Sequence, residues 1–283
     1  MQKVPQERMM DKKIELFGVW FSSLYLEDVL RTITSFIEGR RPRNVVTPNV
    51  DFLMQARRDP EFQQVLNNAD LCLCDSVPLF WAAKLLGTPL KARIAGSDLV
   101  QALCEVAARK GYRVFFLGAA PGVAAKAAKV LQDRHSGLQV VGVYSPPMGF
   151  SGDQREREEI IGRIGNAAPD ILFVGMGTPK QEFLIHRSKA QLKVPVSIGV
   201  GAAFDFTSGV LKRAPAYLQR VGLEWLYRLC QEPRSLWRRY LFHDAPFVAI
   251  AFWKWIRARL ARSRPVGRRV ADSRSPVERI KGR

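Results

Sequence analysis

Three polar side chains follow two apolar segments, in positions where they could take part in proton transfer. Thr47 and Asn49 flank Pro48 after the run Asn-Val-Val, and Asp75 follows the run Leu-Cys-Leu-Cys. A carboxylate at a strand end can act as a general base, but Asp is also a common N-terminal cap of a helix. The Thr-Pro-Asn segment is either a simple turn or one wall of a ligand pocket, because open α/β sheets bind ligands at their carboxyl edge.

Cationic and polar side chains near helix starts could bind phosphate groups. Arg93 precedes a Gly-Ser-Asp helix start, where a guanidinium suits a diphosphate. In the segment Gly-Thr-Pro-Lys-Gln-Glu, Thr178 can cap the next helix, which leaves Lys180 and Gln181 as candidates for ligand binding. Asp205 follows a further apolar run, where it could accept a hydrogen bond from a ribose or a base, or could be a turn acid.

Two glycines end predicted strands where backbone N–H groups could approach a phosphate. Gly118 belongs to Phe-Leu-Gly-Ala-Ala-Pro-Gly, and Gly177 precedes the segment of Lys180 and Gln181. Helix N-termini favour anions, so both turns could hold a nucleotide. The first turn lacks the full G-x-G-x-x-G pattern and does not indicate a dinucleotide cofactor. A tight strand–helix turn explains its glycine equally well.

Short apolar segments alternate with helical patterns between Arg43 and about Thr207. Near-continuous apolar runs are typical of parallel strands that helices cover on both faces. The alternation predicts an α/β fold, with a Rossmann-like, mostly parallel sheet and helices on both faces. The predicted strands are residues 44–47, 71–75, 113–118, 138–144, 170–177 and 194–201.

The chain changes character after residue 212. Residues 213–283 contain 17 Lys and Arg against 5 Asp and Glu, so +12 of the net charge of +18 lies in the last quarter. We predict an α/β core over 1–212, a basic appendage of two or three helices over 213–262, and a disordered basic tail over 263–283. The run FVAIAFWKWIRAR is typical of a helix at a membrane interface. The alternative is a helix that packs on the core and has a solvated basic end.

Composition and missing motifs argue against several function classes. The four cysteines, at 72, 74, 104 and 230, lack zinc-site spacing and suit free thiols in a reducing compartment, so we expect no metal site. The sequence contains no G-x-S-x-G, P-loop or H-E-x-x-H motif, which argues against hydrolases, NTPases and metalloproteases. The N-terminus lacks an apolar signal core, so we expect no export.

Seven stretches of the chain, in order, resemble the WecG/TagA/CpsF family of glycosyltransferases (glycosyltransferase family 26). The resemblance runs from about Ile14 to Leu241. The stretches are TPNVDFL, ADLCLCDS, RIAGSDL, FLGAAPG, PDILFVGMGTPKQE, GVGAAFDFTSGVLKRAP and GLEWLYRLCQEPRSLWRRYL. Agreement of seven motifs in one order points to a family and not merely to a fold class.

The resemblance implies an inverting glycosyltransferase that moves a sugar from a UDP-sugar to a polyprenyl-diphosphate-linked saccharide. The family makes surface polysaccharide, exopolysaccharide or teichoic acid, with N-acetylmannosamine-, uronic acid- or glucose-type donors. It implies a cytoplasmic protein, peripheral on the inner face of the cytoplasmic membrane, whose appendage binds an anionic membrane surface and completes the active site. No cofactor is expected, since the family is regarded as metal-independent, and a homo-oligomer is compatible with the sequence.

Five residues match the family's motifs individually. Asp75 matches its proposed catalytic base, and Thr47 and Asn49 match its Thr-x-Asn motif. Arg93 matches a pocket arginine, and Gln181 matches the glutamine of a Pro-Lys-Gln-Glu motif. We therefore assign Asp75 and Thr47 to the catalytic centre and the other three residues to substrate binding.

Inverting transfer needs a base for the acceptor hydroxyl and positive charge for the departing diphosphate. The candidates for that charge are Arg93 and three arginines of the appendage, Arg213, Arg220 and Arg228. One departure from the family is Ser76, which stands where a glycine usually follows the base. Its Cβ and hydroxyl could narrow the turn or change the fit of the acceptor.

Two other function classes compete with this interpretation. A net charge of +18 would suit a nucleic-acid-binding protein, but the charge is concentrated beside an apolar stretch and the strand-end residues would have no purpose. A nucleotide-binding oxidoreductase would share the fold class, but the chain lacks the glycine fingerprint and an evident catalytic Tyr-Lys pair. We therefore favour the glycosyltransferase and expect no nucleic-acid partner.

Overall fold

The structure, a computed structural model, describes residues 13–147 and 153–262. The predicted basic tail at 263–283 lies outside these ranges, as do residues 1–12 and 148–152 of the predicted core. The described strands are β1 (Lys13–Leu16), β2 (Val19–Ser22), β3 (Arg43–Val46), β4 (Leu71–Cys72), β5 (Arg113–Gly118), β6 (Gln139–Tyr144), β7 (Ile171–Gly175) and β8 (Val196–Gly199).

Helices connect these strands and then form the appendage. The described helices of the core are α1 (Leu26–Glu38), α2 (Val50–Ala56), α3 (Pro60–Asn67), α4 (Val77–Leu85), α5 (Gly96–Lys110), α6 (Val123–Arg134), α7 (Gln154–Ala167), α8 (Lys180–Leu192) and α9 (Ala203–Ser208). The appendage contains α10 (Ala216–Arg220), α11 (Glu224–Gln231), α12 (Pro233–Arg238), a π-helical segment (Arg239–Asp244) and α13 (Pro246–Arg262).

Six of the described strands form one parallel sheet in the order β4-β3-β8-β7-β5-β6. Helices α1, α5, α6 and α9 pack on one face, and α2, α3, α4, α7 and α8 pack on the other. The predicted Rossmann-like sheet with helices on both faces is therefore confirmed. After the adjacent strands β3 and β8, the chain leaves toward opposite faces, and open α/β sheets bind ligands at the carboxyl edge of such a point.

Burial on both faces explains why the strands are continuous apolar runs. Phe116 of β5 and Phe173 of β7 lie side by side on one face, with ring centroids 5.7 Å apart, and the Phe204 ring of α9 lies 5.3 Å from that of Phe116. The next residues along the strands, Leu117 and Val174, are fully buried on the opposite face. The sheet centre is thus covered twice, as the sequence predicts.

A separate antiparallel hairpin, β1 and β2, precedes the sheet. The sequence analysis lists strands only from residue 44 onward and misses this hairpin. Val19 and Phe21 are buried under the sheet edge while Trp20 between them is exposed, but four residues give too short an alternation to recognise. Phe17 and Gly18 form its two-residue turn, both with positive φ, as tight hairpins require.

The appendage has more helices than the predicted two or three, because three residues interrupt it. Gly222, with φ of 72°, separates α10 from α11, and Pro233 and Pro246 each begin a new helix. Helix α13 packs against the hairpin turn, where the rings of Phe17 and Phe247 lie 5.0 Å apart. Within residues 13–147 and 153–262, no helix combines the length and the apolar character needed to span a membrane.

The junction of β5 and β7 generates a prediction about stability. Gly118 has φ of 107°, and a Cβ there would lie 2.5 Å from the carbonyl oxygen of Gly175. We expect Gly118→Ala to lower the free energy of unfolding by at least about 2 kcal/mol, measured by urea denaturation. The control is Gly162→Ala in α7, where a Cβ meets nothing within 4 Å and helix propensity should raise stability by up to about 1 kcal/mol. Equal effects of the two substitutions would contradict this account of the junction.

Candidate functional site

Asp75 lies just beyond β4, at the carboxyl edge of the sheet. Its backbone N–H donates to the carbonyl oxygen of Pro48 at 3.1 Å, which holds the loops after β3 and β4 side by side. Its Oδ1 accepts the backbone N–H of Gly96, the first residue of α5, at 3.1 Å. The N-terminal cap of α4 is Ser76, so Asp75 does not have the capping role that the sequence left open.

The surroundings of Asp75 set its protonation. Burial raises the pKa of Asp75 to about 6, with Glu224 also raising it, while Arg93, the Gly96 N–H and Arg213 act in the opposite direction. A carboxyl group that ionises near pH 6 is charged at neutral pH and is a stronger base than an ordinary aspartate. This pKa suits a general base, and the role of Asp75 as the base stays a prediction.

Two predicted phosphate-binding arginines meet one acid of the appendage beside Asp75. Arg93 donates from Nη1 to the backbone oxygen of Asp75 at 3.1 Å, and lies 4.0 Å from Oε2 of Glu224. Arg213 bonds both carboxylate oxygens of Asp98 in α5, and its Nε lies 3.4 Å from Oε1 of Glu224. Glu224 was missed by the sequence analysis, because an acid in the first turn of a helix is a common pattern with no functional meaning of its own.

Thr47 directly follows β3 and is buried beside the neighbouring strand β8, with 6% of its surface exposed. Its Oγ1 donates to the carbonyl oxygen of Gly199, the last residue of β8, at 3.1 Å. A Cβ at Gly96 would lie only 3.2 Å from this hydroxyl, so Thr47 packs on the residue whose N–H binds Asp75. The structure therefore brings Thr47 and Asp75 together, as the sequence predicts.

Asn49 has a structural role at the start of α2, which is neither of the two alternatives that the sequence left open. It is the N-terminal cap of α2, and its Oδ1 accepts the backbone N–H of Phe52 at 3.4 Å. This contact accounts for an asparagine after Pro48 without any ligand. A contact of Asn49 with substrate stays a prediction.

Ser76 is the departure from the motif pattern that the sequence analysis names, and the backbone accepts a side chain there. Its φ of −103° is extended, so no glycine is required there. Its hydroxyl is buried without a hydrogen-bond partner within the described part of the chain. The departure therefore places an unpaired hydroxyl next to Asp75 without backbone strain.

The Pro-Lys-Gln-Glu segment begins α8. Lys180 is exposed at the first turn, whereas Gln181 and Glu182 are each 1% exposed. The predicted capping by Thr178 is wrong, because Pro179 occupies the cap position after a cis peptide bond and no side chain caps the helix. The buried amide of Gln181 is used within the protein, so its contact with substrate stays a prediction, as does that of Lys180.

The two predicted phosphate-loop glycines have different surroundings. Gly118 is required by the close approach of β5 to Gly175 in β7, so the tight-turn alternative explains this glycine. Gly177, with φ of 77°, faces open space at the same edge of the sheet. Approach of a nucleotide to either backbone remains a prediction, and Gly177 has the room for it.

Asp205 and Arg228 lie where the appendage meets α9. Burial raises the pKa of Asp205, and nearby Arg228 opposes that shift. Arg228 bonds Glu232 at 3.3 Å and stacks over the Phe206 ring at 5.4 Å. Arg220 is exposed at the end of α10. Binding of substrate by these residues stays a prediction.

A second acidic group joins the appendage to the first turn of α2. Asp51, 8% exposed at its side chain, lies 3.2 Å from Nε of Arg239 in the π-helical segment, and Asp244 lies 3.7 Å from the same atom. Burial raises the pKa of Asp244 to about 6, and the charge of Asp51 raises it further. The ion pair fixes the appendage two residues from Asn49.

The cysteines and acids of the described residues give no metal centre. Cys72, Cys74 and Cys104 are buried free thiols, and burial raises the pKa of Cys74 and Cys104 to about 12. Across residues 13–147 and 153–262, no group of three or more His, Cys, Asp or Glu side chains could hold a metal ion.

Comparison with known proteins gives a family match over most of the chain. The family described as Glycosyl transferase WecG/TagA/CpsF family matches residues 14–261. Three relatives share the name N-acetylglucosaminyldiphosphoundecaprenol N-acetyl-beta-D-mannosaminyltransferase. The protein of Bacillus spizizenii (strain W23) is 38% identical over 74% of this chain and 78% of its own. That of Bacillus subtilis (strain 168) is 33% identical over 73% and 78%.

The third relative, from Staphylococcus aureus (strain MW2), is 29% identical over 83% of this chain and 89% of its own length. The matched residues include every strand of the central sheet, the loops that carry Thr47, Asp75 and Arg93, and almost all of the described appendage. The resemblance seen in the sequence motifs is thereby confirmed. The chain belongs to the WecG/TagA/CpsF family of glycosyltransferases.

Proposed function

We propose that the protein transfers N-acetylmannosamine from a UDP-sugar to a polyprenyl-diphosphate-linked N-acetylglucosamine, with inversion at the anomeric carbon. The observation that carries the proposal is the partly buried Asp75, which is bonded to the Gly96 N–H and lies beside Thr47 and Arg93. The names of the three relatives support this choice of sugar and acceptor. Glucose-type and uronic acid donors have no support in these names and enter the experiment as competitors.

The proposed reaction is a single displacement. Asp75 accepts the proton of the acceptor hydroxyl while the hydroxyl oxygen attacks the anomeric carbon of the donor sugar. The bond from that carbon to UDP breaks on the opposite face. The electron pair of that bond leaves with the diphosphate. Because Gly96 holds Oδ1 of Asp75, we assign the proton to Oδ2. Ionisation near pH 6 keeps the base charged at neutral pH.

Arginines would supply the positive charge that the diphosphate needs, without a cofactor. Arg93 and Arg213 meet at Glu224, and Arg228 lies on the next turn of α11. A bound diphosphate could exchange places with carboxylate partners, because arginine binds both groups through paired N–H donors. Arg220 and Lys180 are exposed and would act at the rim.

We propose that α13 binds the anionic lipid surface on the inner face of the cytoplasmic membrane. One side of the helix packs on the protein through Phe247 and Ala251, whereas Phe252 and Trp253 are each 55% exposed. The guanidinium of Arg257 lies 3.8 Å from the Trp253 ring centroid. Aromatic residues with adjacent arginines are typical of helices at a membrane interface.

A donor screen tests the sugar. We expect UDP release with UDP-N-acetylmannosamine and a short-chain polyprenyl-diphosphate-N-acetylglucosamine, and at least about tenfold slower release with UDP-glucose or UDP-N-acetylmannosaminuronic acid. Omission of the lipid acceptor is the control for hydrolysis. Preference for another donor would refute the sugar assignment, and no release with any UDP-sugar would refute the proposed reaction.

A substitution tests the base. We expect Asp75→Asn to lower kcat roughly 10²-fold or more, because an amide cannot accept the proton. In the unchanged enzyme kcat/KM should rise with pH through about 6, as the carboxyl group loses its proton, and the variant should lose this rise. The control is Asp133→Asn, an exposed carboxylate on α6, which should leave both unchanged. Near-normal turnover of Asp75→Asn would remove Asp75 from this role.

Liposome flotation tests the membrane surface. We expect the double substitution Phe252→Ser and Trp253→Ser to reduce binding to vesicles with anionic lipids by about tenfold or more, because two apolar side chains no longer enter the interface. Trp20→Ser, which removes an exposed tryptophan of the hairpin, is the matched control and should bind normally. Equal flotation of all three proteins would show that α13 is only packed on the core.

A further inference from the structure

We propose that Glu182 is a positioning residue, which holds the Gln181 amide against the end of β8 and thereby fixes the Thr47 hydroxyl beside the base. The inference rests on the proposed function, because it assigns Thr47 to the catalytic centre. Glu182 itself is buried and touches no reacting atom. It acts through Gln181, which it contacts directly, and through the backbone of Gly199, on which both side chains pack.

The first step is the contact between two adjacent side chains at the start of α8. Nε2 of Gln181 donates to Oε1 of Glu182 at 2.6 Å, and Oε1 of Gln181 accepts the backbone N–H of Gly201 at 3.2 Å. Both residues are 1% exposed, so water does not replace these partners. The Glu182 oxygen therefore decides which end of the Gln181 amide faces the loop after β8.

The second step is the contact of this pair with the strand end. A Cβ at Gly199 would lie 2.7 Å from Oε1 of Glu182 and 2.8 Å from Nε2 of Gln181. The pair thus packs directly on the Gly199 backbone, where any larger residue would displace it. The carbonyl oxygen of this same glycine accepts the Thr47 hydroxyl at 3.1 Å. Movement of the Gln181–Glu182 pair would therefore shift the Gly199 carbonyl and, with it, the Thr47 hydroxyl.

The surroundings of Glu182 fit a neutral acid that acts as an acceptor. Burial raises the pKa of Glu182 to about 8, with Asp51 of α2 raising it further, while hydrogen bonds from Gln181 and other neighbours oppose the shift. Asp51 is in turn paired with Arg239, at 3.2 Å. A protonated carboxyl group keeps one carbonyl oxygen for the Gln181 amide and carries no buried charge.

The experiment compares Glu182→Gln with Glu182→Ala in the full chain. Glutamine keeps an acceptor oxygen at the same reach without a charge, and we expect its kcat within about threefold of the unchanged enzyme. Alanine releases Gln181, and we expect kcat to fall about tenfold or more, because small misplacement of a catalytic group costs up to about 10²-fold. KM for the donor should change less than about threefold, because Glu182 is buried and the Gln181 amide bonds Glu182 and Gly201 within the protein.

A second measurement does not depend on substrate. Amide hydrogen exchange of the segment 199–204, followed by mass spectrometry, reports the N–H of Gly201 that Gln181 binds. Exchange should be faster in Glu182→Ala and unchanged in Glu182→Gln. If the unchanged enzyme transfers no sugar, the proposed function fails. The exchange measurement still tests the positioning role of Glu182 in that case.

Three results would overturn the inference. The first is unchanged kcat and exchange in a folded Glu182→Ala variant. The second is equal loss of kcat in Glu182→Gln, which would show that the carboxyl group acts as an acid or a charge. If the alanine variant does not fold, Glu182→Asp replaces it, because its side chain is one methylene group shorter and withdraws the acceptor oxygen from Gln181. Normal kcat in the folded aspartate variant is the third.

Discussion

The hydrogen bond from the Thr47 hydroxyl to the Gly199 carbonyl joins the neighbouring strands β3 and β8 at their carboxyl ends. In a parallel sheet all loops that follow strands emerge at one edge, so one bond between β3 and β8 orders the residues after both. The backbone hydrogen bond from Asp75 to Pro48 attaches the loop after β4 to the loop after β3. The hydrogen bond from the Gly96 N–H to the Asp75 side chain attaches the start of α5 to the same loops. Because all of these groups are backbone or short side chains, the site has little freedom before substrate enters.

Charge is arranged around this edge in pairs. Arg213 joins Asp98 and Glu224, Arg93 approaches Glu224, and Arg239 joins Asp51. Partly buried arginines without a ligand need such partners, since an unpaired buried charge is strongly unfavourable. The same pairs hold the appendage to the core. Binding of a diphosphate would therefore be coupled to how the appendage sits, because both use the same guanidinium groups.

The sequence predicts the parallel sheet, its covering helices and the proximity of Thr47 to Asp75, because apolar runs and strand-end positions are properties of single segments. It does not predict the hairpin, whose strands are too short to show alternation, or the number of appendage helices, which depends on Gly222 and two prolines. It also leaves open that Asn49 caps α2 and that Gln181 is buried. Glu224 pairs with Arg93, and Arg239 pairs with Asp51, from distant parts of the chain. No local sequence pattern predicts such pairs.

The docking of α13 has a geometric consequence. The helix is held to the core at its first turn by Phe247 on Phe17, and the preceding segment is held by Arg239 on Asp51. Its 17 residues span about 25 Å, which is long enough to define an orientation on a flat surface. If α13 lies in the membrane plane, the carboxyl edge of the sheet, where Asp75 lies, stands at a fixed height above the lipid headgroups. The length of the lipid-linked saccharide would then determine whether it is an acceptor. A saccharide whose reacting hydroxyl lies at that height would react, and one that is longer by one sugar unit would not.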